Sequence, residues 1–328
     1  MIAHVAGAPH PPAGGYDADV IVLALDRLDE TVAAIRSALS QIGVTRHVTI
    51  LDQGSLPENL AWLAATVAGR TDATLLRSDR NLGVAEGRNQ ASAFGHGRAI
   101  AGIDNDAEFG ESNTLARMVA ALDEEPDLAA IGCRIVNFHT GEDDLTSWGY
   151  PRALLSRAGG SFLAATYVGA GHAIRREAWD SVGGYDPRLF FCWEEYDFCL
   201  RAIARGWRVR YRGDLTIRHK VSTEHRVAWS GNRWFHFVRN RLYIERKYGA
   251  AWLSLLPRIG GYLIKGTRNG MPWQTLRAIP AAAWMDRRTF APPLPGTARA
   301  YLRNHDATHR GTLANRLRKE VLAAHAPL

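Results

Sequence analysis

Asp104-Asn105-Asp106 ends the apolar run Ala99 to Ile103, so two carboxylates stand where the backbone leaves a stretch apolar enough to be a buried strand. Two hard oxygen donors in such a place suit Mg2+ or Mn2+ and, through the cation, a diphosphate. Taken alone, the tripeptide also suits a solvated turn with local side-chain hydrogen bonds, and its companions must decide. A second acidic group, Glu194-Glu195-Tyr196-Asp197, puts three carboxylates at a helix start, where the macrodipole favours their charged form. Phe190, Phe191 and Trp193 precede it and Phe198 follows. Aromatic walls around a carboxylate can form an acceptor pocket and raise its pKa towards the working range of a base. His219, after the strand-like Leu215 to Arg218, is a third candidate. Asp52-Gln53-Gly54-Ser55 and the segment Asn81 to Asn89 read by themselves as turn chemistry.

The elements that must position these groups follow from hydrophobic spacing. Asp19 to Leu25, Val48 to Leu51, Thr74 to Arg77 and Ala99 to Ile103 are short apolar runs. Between them, Glu30 to Leu39, Leu60 to Ala68 and Val84 to Phe94 carry apolar residues at helical intervals. Continuous apolar strands alternating with amphipathic helices predict a parallel sheet covered on both faces, with ligands bound beyond the carboxyl ends of the strands. A helix (Thr114 to Leu122), a strand (Leu128 to Cys133) and a polar, Gly-rich stretch from Asn137 to Gly160 follow, the last expected as a long, partly mobile loop. Helices are then expected over Arg175 to Ser181 and from about Trp193 to Arg205, with a strand at Trp207 to Tyr211.

Composition divides the chain. Residues 226–328 hold 18 Lys and Arg against 4 Asp and Glu, while residues 1–225 hold 22 against 29, so the net +7 hides an acidic part and a strongly basic one. The organisation expected is a disordered leader at 1–16, a catalytic domain at 17–225, and a basic, aromatic-rich helical region at 226–328. The leader lacks the basic and apolar parts of a secretion signal. Cys133, Cys192 and Cys199 form no C-x-x-C pair, which indicates neither a disulfide framework nor a zinc site and suits a reducing compartment. No uninterrupted apolar stretch is long enough to predict a spanning helix.

Taken in order from about Asp17 to His219, the motifs resemble inverting GT-A glycosyltransferases of family 2, enzymes that build bacterial surface and exopolysaccharides. The resemblance rests on Asp52-Gln53-Gly54-Ser55, Arg80-Asn81-Leu82-Gly83 with Gly87-Arg88-Asn89, and Asp104-Asn105-Asp106. It continues through Gly169-Ala170-Gly171 with Arg175-Arg176-Glu177-Ala178, Val182 to Asp186, Glu194-Glu195-Tyr196-Asp197 and His219. It implies a GT-A fold, an α/β, Rossmann-like, mostly parallel sheet flanked by helices, here with a C-terminal basic helical extension. It further implies that Asp52, Gly54, Asn81, Gly83, Arg88, Asn89 and Asp104 line the nucleotide site, with Asp52 on the nucleobase or ribose. Asp104, Asp106 and His219 would hold Mg2+ or Mn2+ on the diphosphate. Glu195 falls at the position of the catalytic base, with Glu194 and Asp197 beside it, and Gly171, His172 and Trp193 on the acceptor side. The family usually carries Asp at the base position, so Glu194 and Glu195 both remain candidates. Its first strand commonly leads into Pro-Thr-Tyr, where this chain has Leu25-Asp26-Arg27.

The function this implies is metal-dependent, inverting transfer from a UDP- or dTDP-sugar to a glycan or lipid-linked acceptor. The setting expected is the cytoplasm, peripherally at the inner face of the membrane. Alternating aromatic and basic residues from Arg233 to Tyr248 suit either an interfacial helix on an anionic leaflet or an ordinary subdomain packed on the catalytic domain. No nucleic-acid motif accompanies them, and no nucleic-acid partner is expected. Two rival functions are a sugar-phosphate nucleotidyltransferase and a catalytically degenerate sugar-nucleotide-binding protein. The first wants a Gly-rich basic loop after the first strand, which Asp26-Arg27-Leu28-Asp29 is not.

Overall fold

The computed structural model describes residues 1–220, 231–286 and 291–311. Strands β1 (Ile2–Gly7), β2 (Ala18–Ala24), β3 (Arg46–Asp52), β4 (Ala73–Ser78) and β5 (Ala99–Ile103) alternate, from β2 onward, with helices α1 (Leu28–Leu39), α2 (Pro57–Val67) and α3 (Gly83–Phe94). From β2 to β5 the paired neighbours are parallel, and nearly every residue is buried, so both faces of these strands are covered. After β5 come β6 (Ala107–Phe109), α4 (Thr114–Glu124), β7 (Leu128–Asn137), β8 (Ser161–Leu163), β9 (Gly171–Arg175), α5 (Arg176–Val182), α6 (Glu194–Ala204) and β10 (Arg208–His219).

The strand order is β1-β4-β3-β2-β5-β9-β7-β10-β6, with β8 also on β10. Chain order runs outward from β2 through β3 to β4, then returns to place β5 on the other side of β2. The sheet therefore has its switch point between β2 and β5, the place where doubly wound sheets bind ligands beyond the carboxyl ends. Asp26-Arg27 and Asp104-Asn105-Asp106 leave from those two ends. Hydrophobic spacing did not mark β9, which lies antiparallel between β5 and β7. The expected segments Trp207 to Tyr211 and Leu215 to Arg218 form one strand, irregular between Arg212 and Thr216. Beyond that irregularity β10 pairs with β6 and sets His219 opposite Ala107, next to Asp106.

Two expectations are corrected. Residues 1–16 are not a disordered leader, because Ile2–Gly7 pairs antiparallel with the open edge of β4 and the Tyr16 hydroxyl donates to Asp19 at 2.5 Å. An edge strand with one solvated side has no continuous apolar signature. The stretch from 137 to 160 is likewise packed: Val136 bridges Asp143, a 3-10 helix spans Arg152–Arg157, and Trp148 and Tyr150 pack edge-on against the stacked pair Phe162 and Tyr211. Aromatic contacts order a segment whose composition is that of a loop.

The C-terminal part forms α7 (Gly231–Lys247), α8 (Trp252–Arg268), α9 (Pro272–Asp286) and α10 (Gly296–His305). The expected boundary at 225 lies outside the described residues. Helix α7 buries Trp234, Phe237, Val238, Leu242 and Tyr243 in one core with Tyr185, Leu189 and Phe198. Each such side chain is worth about 1.5–3 kcal/mol on burial. Losing all of them would consume a large part of a typical folding free energy, so α7 belongs to the body of the protein. Tyr301 of α10 also bonds Val209 and Ala164 through its hydroxyl.

Candidate active site at the strand ends

The β5 end, the following turn and the tip of β10 bring Asp104, Asp106 and His219 together, with one ligand atom of each within 4.8 Å of the others. Asp106 Oδ1 lies 3.1 Å from His219 Nε2, and Asp144 Oδ2 lies 3.1 Å from Nδ1 of the same buried ring. A carboxylate behind an imidazole fixes the ring's orientation and raises its basicity as a ligand. Arg27, half-exposed, donates from Nη1 to Asp106 Oδ2 at 2.6 Å. Two carboxylates and one supported imidazole fit a hard or borderline divalent cation, and the arrangement can hold Mg2+ or Mn2+.

Arg88 links this group to the acidic helix start. From a nearly buried position on α3, its Nη2 donates to Asp104 Oδ1 at 3.0 Å and to the Gly169 carbonyl at 2.8 Å. Its Nη1 stands 3.5 Å from Glu195 Oε1. A Cβ at Gly169 would collide with that same Glu195 oxygen, so the carboxylate's place depends on a glycine. Burial raises the Glu195 pKa, and the Arg88 charge opposes the rise. Burial, followed by the Glu195 charge, pushes Glu194 well above the ordinary Glu value. Glu194 is 3 % exposed and its Oε2 has no hydrogen-bond partner among the described residues.

This contrast yields a stability prediction. Because Glu194 holds its proton more tightly in the folded state than in the unfolded one, stability from this group declines as pH rises from the ordinary Glu value through its raised folded value. Glu194→Gln should therefore match the parent in acid, where both side chains are neutral, and melt a few degrees higher at pH 8. Melting curves across pH check this, and a difference that does not grow with pH would refute the buried, protonated Glu194.

The described non-glycine residues at positive φ are Asp26, Arg27, Phe190, Cys192 and Trp193, and all flank this site. Such residues cost about 1–3 kcal/mol each and persist only where their surroundings over-determine them. Fully buried Asn240 of α7 supplies part of that restraint, its Nδ2 donating to the carbonyls of Leu189, Phe191 and Cys192 at 2.7–2.9 Å. Gly83, also at positive φ, lies so close to the Phe190 carbonyl that a Cβ would overlap it. Trp193 donates from Nε1 to the Phe237 carbonyl, and Arg241 lies over its ring and that of Tyr196.

Several residues expected to touch ligands have other work. Asp52 is fully buried, with its carboxylate accepting from the Gly54 and Ser55 amides and from Arg77, so it holds the turn and offers no surface to a nucleobase. Gly54 supplies positive φ in that turn. Asn81 Oδ1 accepts from the Gly83 amide, and Asn89 exchanges two bonds with the Tyr185 backbone. Gly171 is needed for close approach to Ile217. His172 is stacked on Tyr167 in the interior, and burial, with the Arg88 charge, pushes its pKa well below the usual value. Trp193 braces the loop against α7. Asp197 is fully buried, and Arg201, Lys247 and Tyr248 occupy its oxygens. Lys247 also reaches Asp186, so one lysine of α7 holds both α6 and the turn before it. Of the expected set, Asp104, Asp106, His219, Arg88, Glu195 and Glu194 converge.

Sequence reasoning missed Arg27, Asp144, Gly169 and Asn240 as parts of the site. Arg27 was visible as a departure after the first strand. Asp144 sat in the supposed mobile loop, and a buried Asn240 inside an aromatic, basic helix was the signal for a polar clamp.

The glycosyl transferase family 2 model matches residues 19–183, just over half of the chain and short of Glu194, Glu195 and His219. The O-antigen biosynthesis protein RfbC of Myxococcus xanthus is 25 % identical over 238 residues, covering 66 % of this chain and 18 % of RfbC. The succinoglycan biosynthesis protein ExoO of Rhizobium meliloti (strain 1021) is 36 % identical over 116 residues, covering 35 % of this chain and 32 % of ExoO. The chain thus spans a third or less of the length of these relatives. Among solved structures, the mannosyltransferase PcManGT from Pyrobaculum calidifontis, in complex with GDP-Man and Mn2+, superposes with TM-score 0.56 at 17 % identity, over 96 % of this chain and 86 % of its own. GalNAc-T7 with UDP, GalNAc and Mn2+ gives 0.58 at 12 % identity, over 89 % and 57 %. At such identities the likeness speaks for the fold. With the family match over the strands and turns that build the site, this chain belongs to glycosyl transferase family 2 and has the GT-A architecture.

Proposed function

We propose that this glycosyltransferase moves a sugar, with inversion, from a nucleotide-diphosphate sugar to a hydroxyl of a glycan or lipid-linked acceptor during assembly of a surface or exopolysaccharide. The observation that carries the reading is the convergence of Asp104, Asp106 and His219 at the β2/β5 switch point, one arginine away from Glu195. The names of RfbC and ExoO support the polysaccharide setting, and the nucleotide ligands of the structural neighbours support the donor class. Membership of the family sets aside the nucleotidyltransferase alternative.

In this reading Asp104, Asp106 and His219 hold the cation, with Asp144 orienting the imidazole. When bound, a divalent cation offsets the charge that develops on a departing diphosphate. Arg27 stands at the rim of the same site and offers a guanidinium to phosphate oxygens. Glu195 takes the proton of the acceptor hydroxyl as that oxygen bonds to C1 from the face opposite the diphosphate. The C1–O bond to phosphate breaks in the same displacement, which inverts the anomeric centre. Arg88 keeps Glu195 and Asp104 in register, and its positive charge resists protonation of the base.

The test is thermal melting with a panel of UDP-, dTDP- and GDP-sugars, with Mn2+, Mg2+ or chelator. A cognate donor at 100 times its Kd stabilises by about 2.7 kcal/mol. The expected result is a rise for a subset of donors that disappears with chelator. No shift with any donor and cation would exclude the reading, and a shift without product on any hydroxyl acceptor would favour the degenerate binding protein.

A further inference from the structure

We propose that the outer face of the α8–α9 hairpin seats on an anionic lipid surface. Leu253, Leu256 and Ile264 are exposed along α8, spaced at helical intervals on one side. Trp273, Leu276 and Trp284 do the same along α9, where each tryptophan is 64 % exposed. The inner faces of both helices meet at Trp234 of α7: its Nε1 donates to Thr275 Oγ1 at 2.7 Å, and Gly266 is closed in by Thr275 and Trp234. With their inner faces turned to one residue, the two apolar stripes both point away from the protein body. Exposed apolar residues scattered singly need no explanation, but six large ones on two contiguous helices form a patch of the kind that marks an interaction site.

Charge selects the occupant. From Trp252 to Asp286 the hairpin carries Arg258, Lys265, Arg268 and Arg277 against one acid, Asp286. Arg258 pairs with Glu245, and Lys265 and Arg277 lie over the Trp234 and Phe235 rings, so this charge acts on an anionic surface as a field from behind the apolar stripes. Tryptophans on an apolar stripe beside Lys and Arg are the pattern of a helix lying in the headgroup region of an anionic leaflet. No described helix is long and apolar enough to cross a membrane. The position also suits the reaction, a link that rests on the proposed function. Helix α7 lies between this face and the strained 190–193 loop that it clamps through Asn240, so a seated hairpin would hold the acceptor side of the site near the membrane.

The experiment is flotation of the full chain with phosphatidylglycerol/phosphatidylcholine vesicles and with phosphatidylcholine vesicles, at low and high salt. The parent should float with the anionic vesicles, less so at high salt, and remain below with the zwitterionic ones. Trp273→Ser and Trp284→Ser should each lower partitioning by about tenfold or more. Because the Trp273 ring is exposed, melting temperature and cation-dependent donor binding of Trp273→Ser should stay at parental levels. Equal flotation with both vesicle types, or full flotation of the double variant, would overturn the proposal. So would a concentration-dependent dimer that the double variant disperses, which would assign the face to a second copy of the chain. Donor binding retained without flotation would sink the lipid surface and leave the proposed transfer standing.

Discussion

Asp106→Ala is expected to abolish cation-dependent transfer. The carboxylate is nearly buried, with one oxygen 3.1 Å from His219 Nε2 and the other 2.6 Å from Arg27 Nη1. Its removal deletes one of the two carboxylates proposed to hold the cation and takes the acceptor from Arg27 Nη1. Charge stabilisation by a bound cation is worth several kcal/mol, so the expected loss in kcat/KM is on the order of 1000-fold or more. Direct Mn2+ titration without nucleotide provides a readout apart from turnover, and binding should weaken in parallel. Asp106→Asn keeps the shape and most of the local hydrogen bonding, which separates loss of the ligand from loss of the fold. Unchanged metal affinity and turnover in a folded Asp106→Asn would rule out this carboxylate as a ligand.

Glu195→Gln should retain donor binding and lose transfer by about 100- to 10,000-fold, the usual contribution of a positioned base. The substitution preserves shape beside Gly169 and leaves an oxygen for Arg88. In the parent, burial raises the Glu195 pKa, so the ionised base is lost as pH falls and transfer should climb with pH above the ordinary Glu range. In Glu195→Gln the residual rate should lose that rise. Donor affinity from melting shifts and single-turnover rates across pH would measure both effects. Near-parental transfer by this variant would move the base to another group. Glu194 is the less suitable candidate, being more deeply buried and more strongly biased towards its protonated form.

The legible part of the site was the part built from local contrasts. Asp104 and Asp106 were conspicuous because carboxylates end an apolar run, and Glu194 and Glu195 because acids lie among aromatics. The glycine and asparagine motifs were equally visible, yet Gly83, Asn81 and Asn89 act on backbone: they close turns and hold strained loops. Asp197 is a carboxylate in the same first helical turn as Glu195, but lies against Lys247 and Arg201. Residue type and local spacing do not distinguish a carboxylate facing a crevice from one facing a cation on a distant helix.

The sequence by itself determined the alternating parallel sheet, the position of the Asp104–Asp106 pair at a strand end and the split between an acidic front and a basic back. These are consequences of periodicity and composition, which act over a few residues or over whole regions. Tertiary structure decided what depends on contacts between distant segments: that β1 caps the sheet edge, that Asp144 supports His219, that Arg88 joins Asp104 to Glu195, and that α7 belongs to the enzyme's core. Each contact joins residues whose local patterns do not specify their partner. Burial and hydrogen-bond satisfaction select the pairing once the whole chain has closed around it.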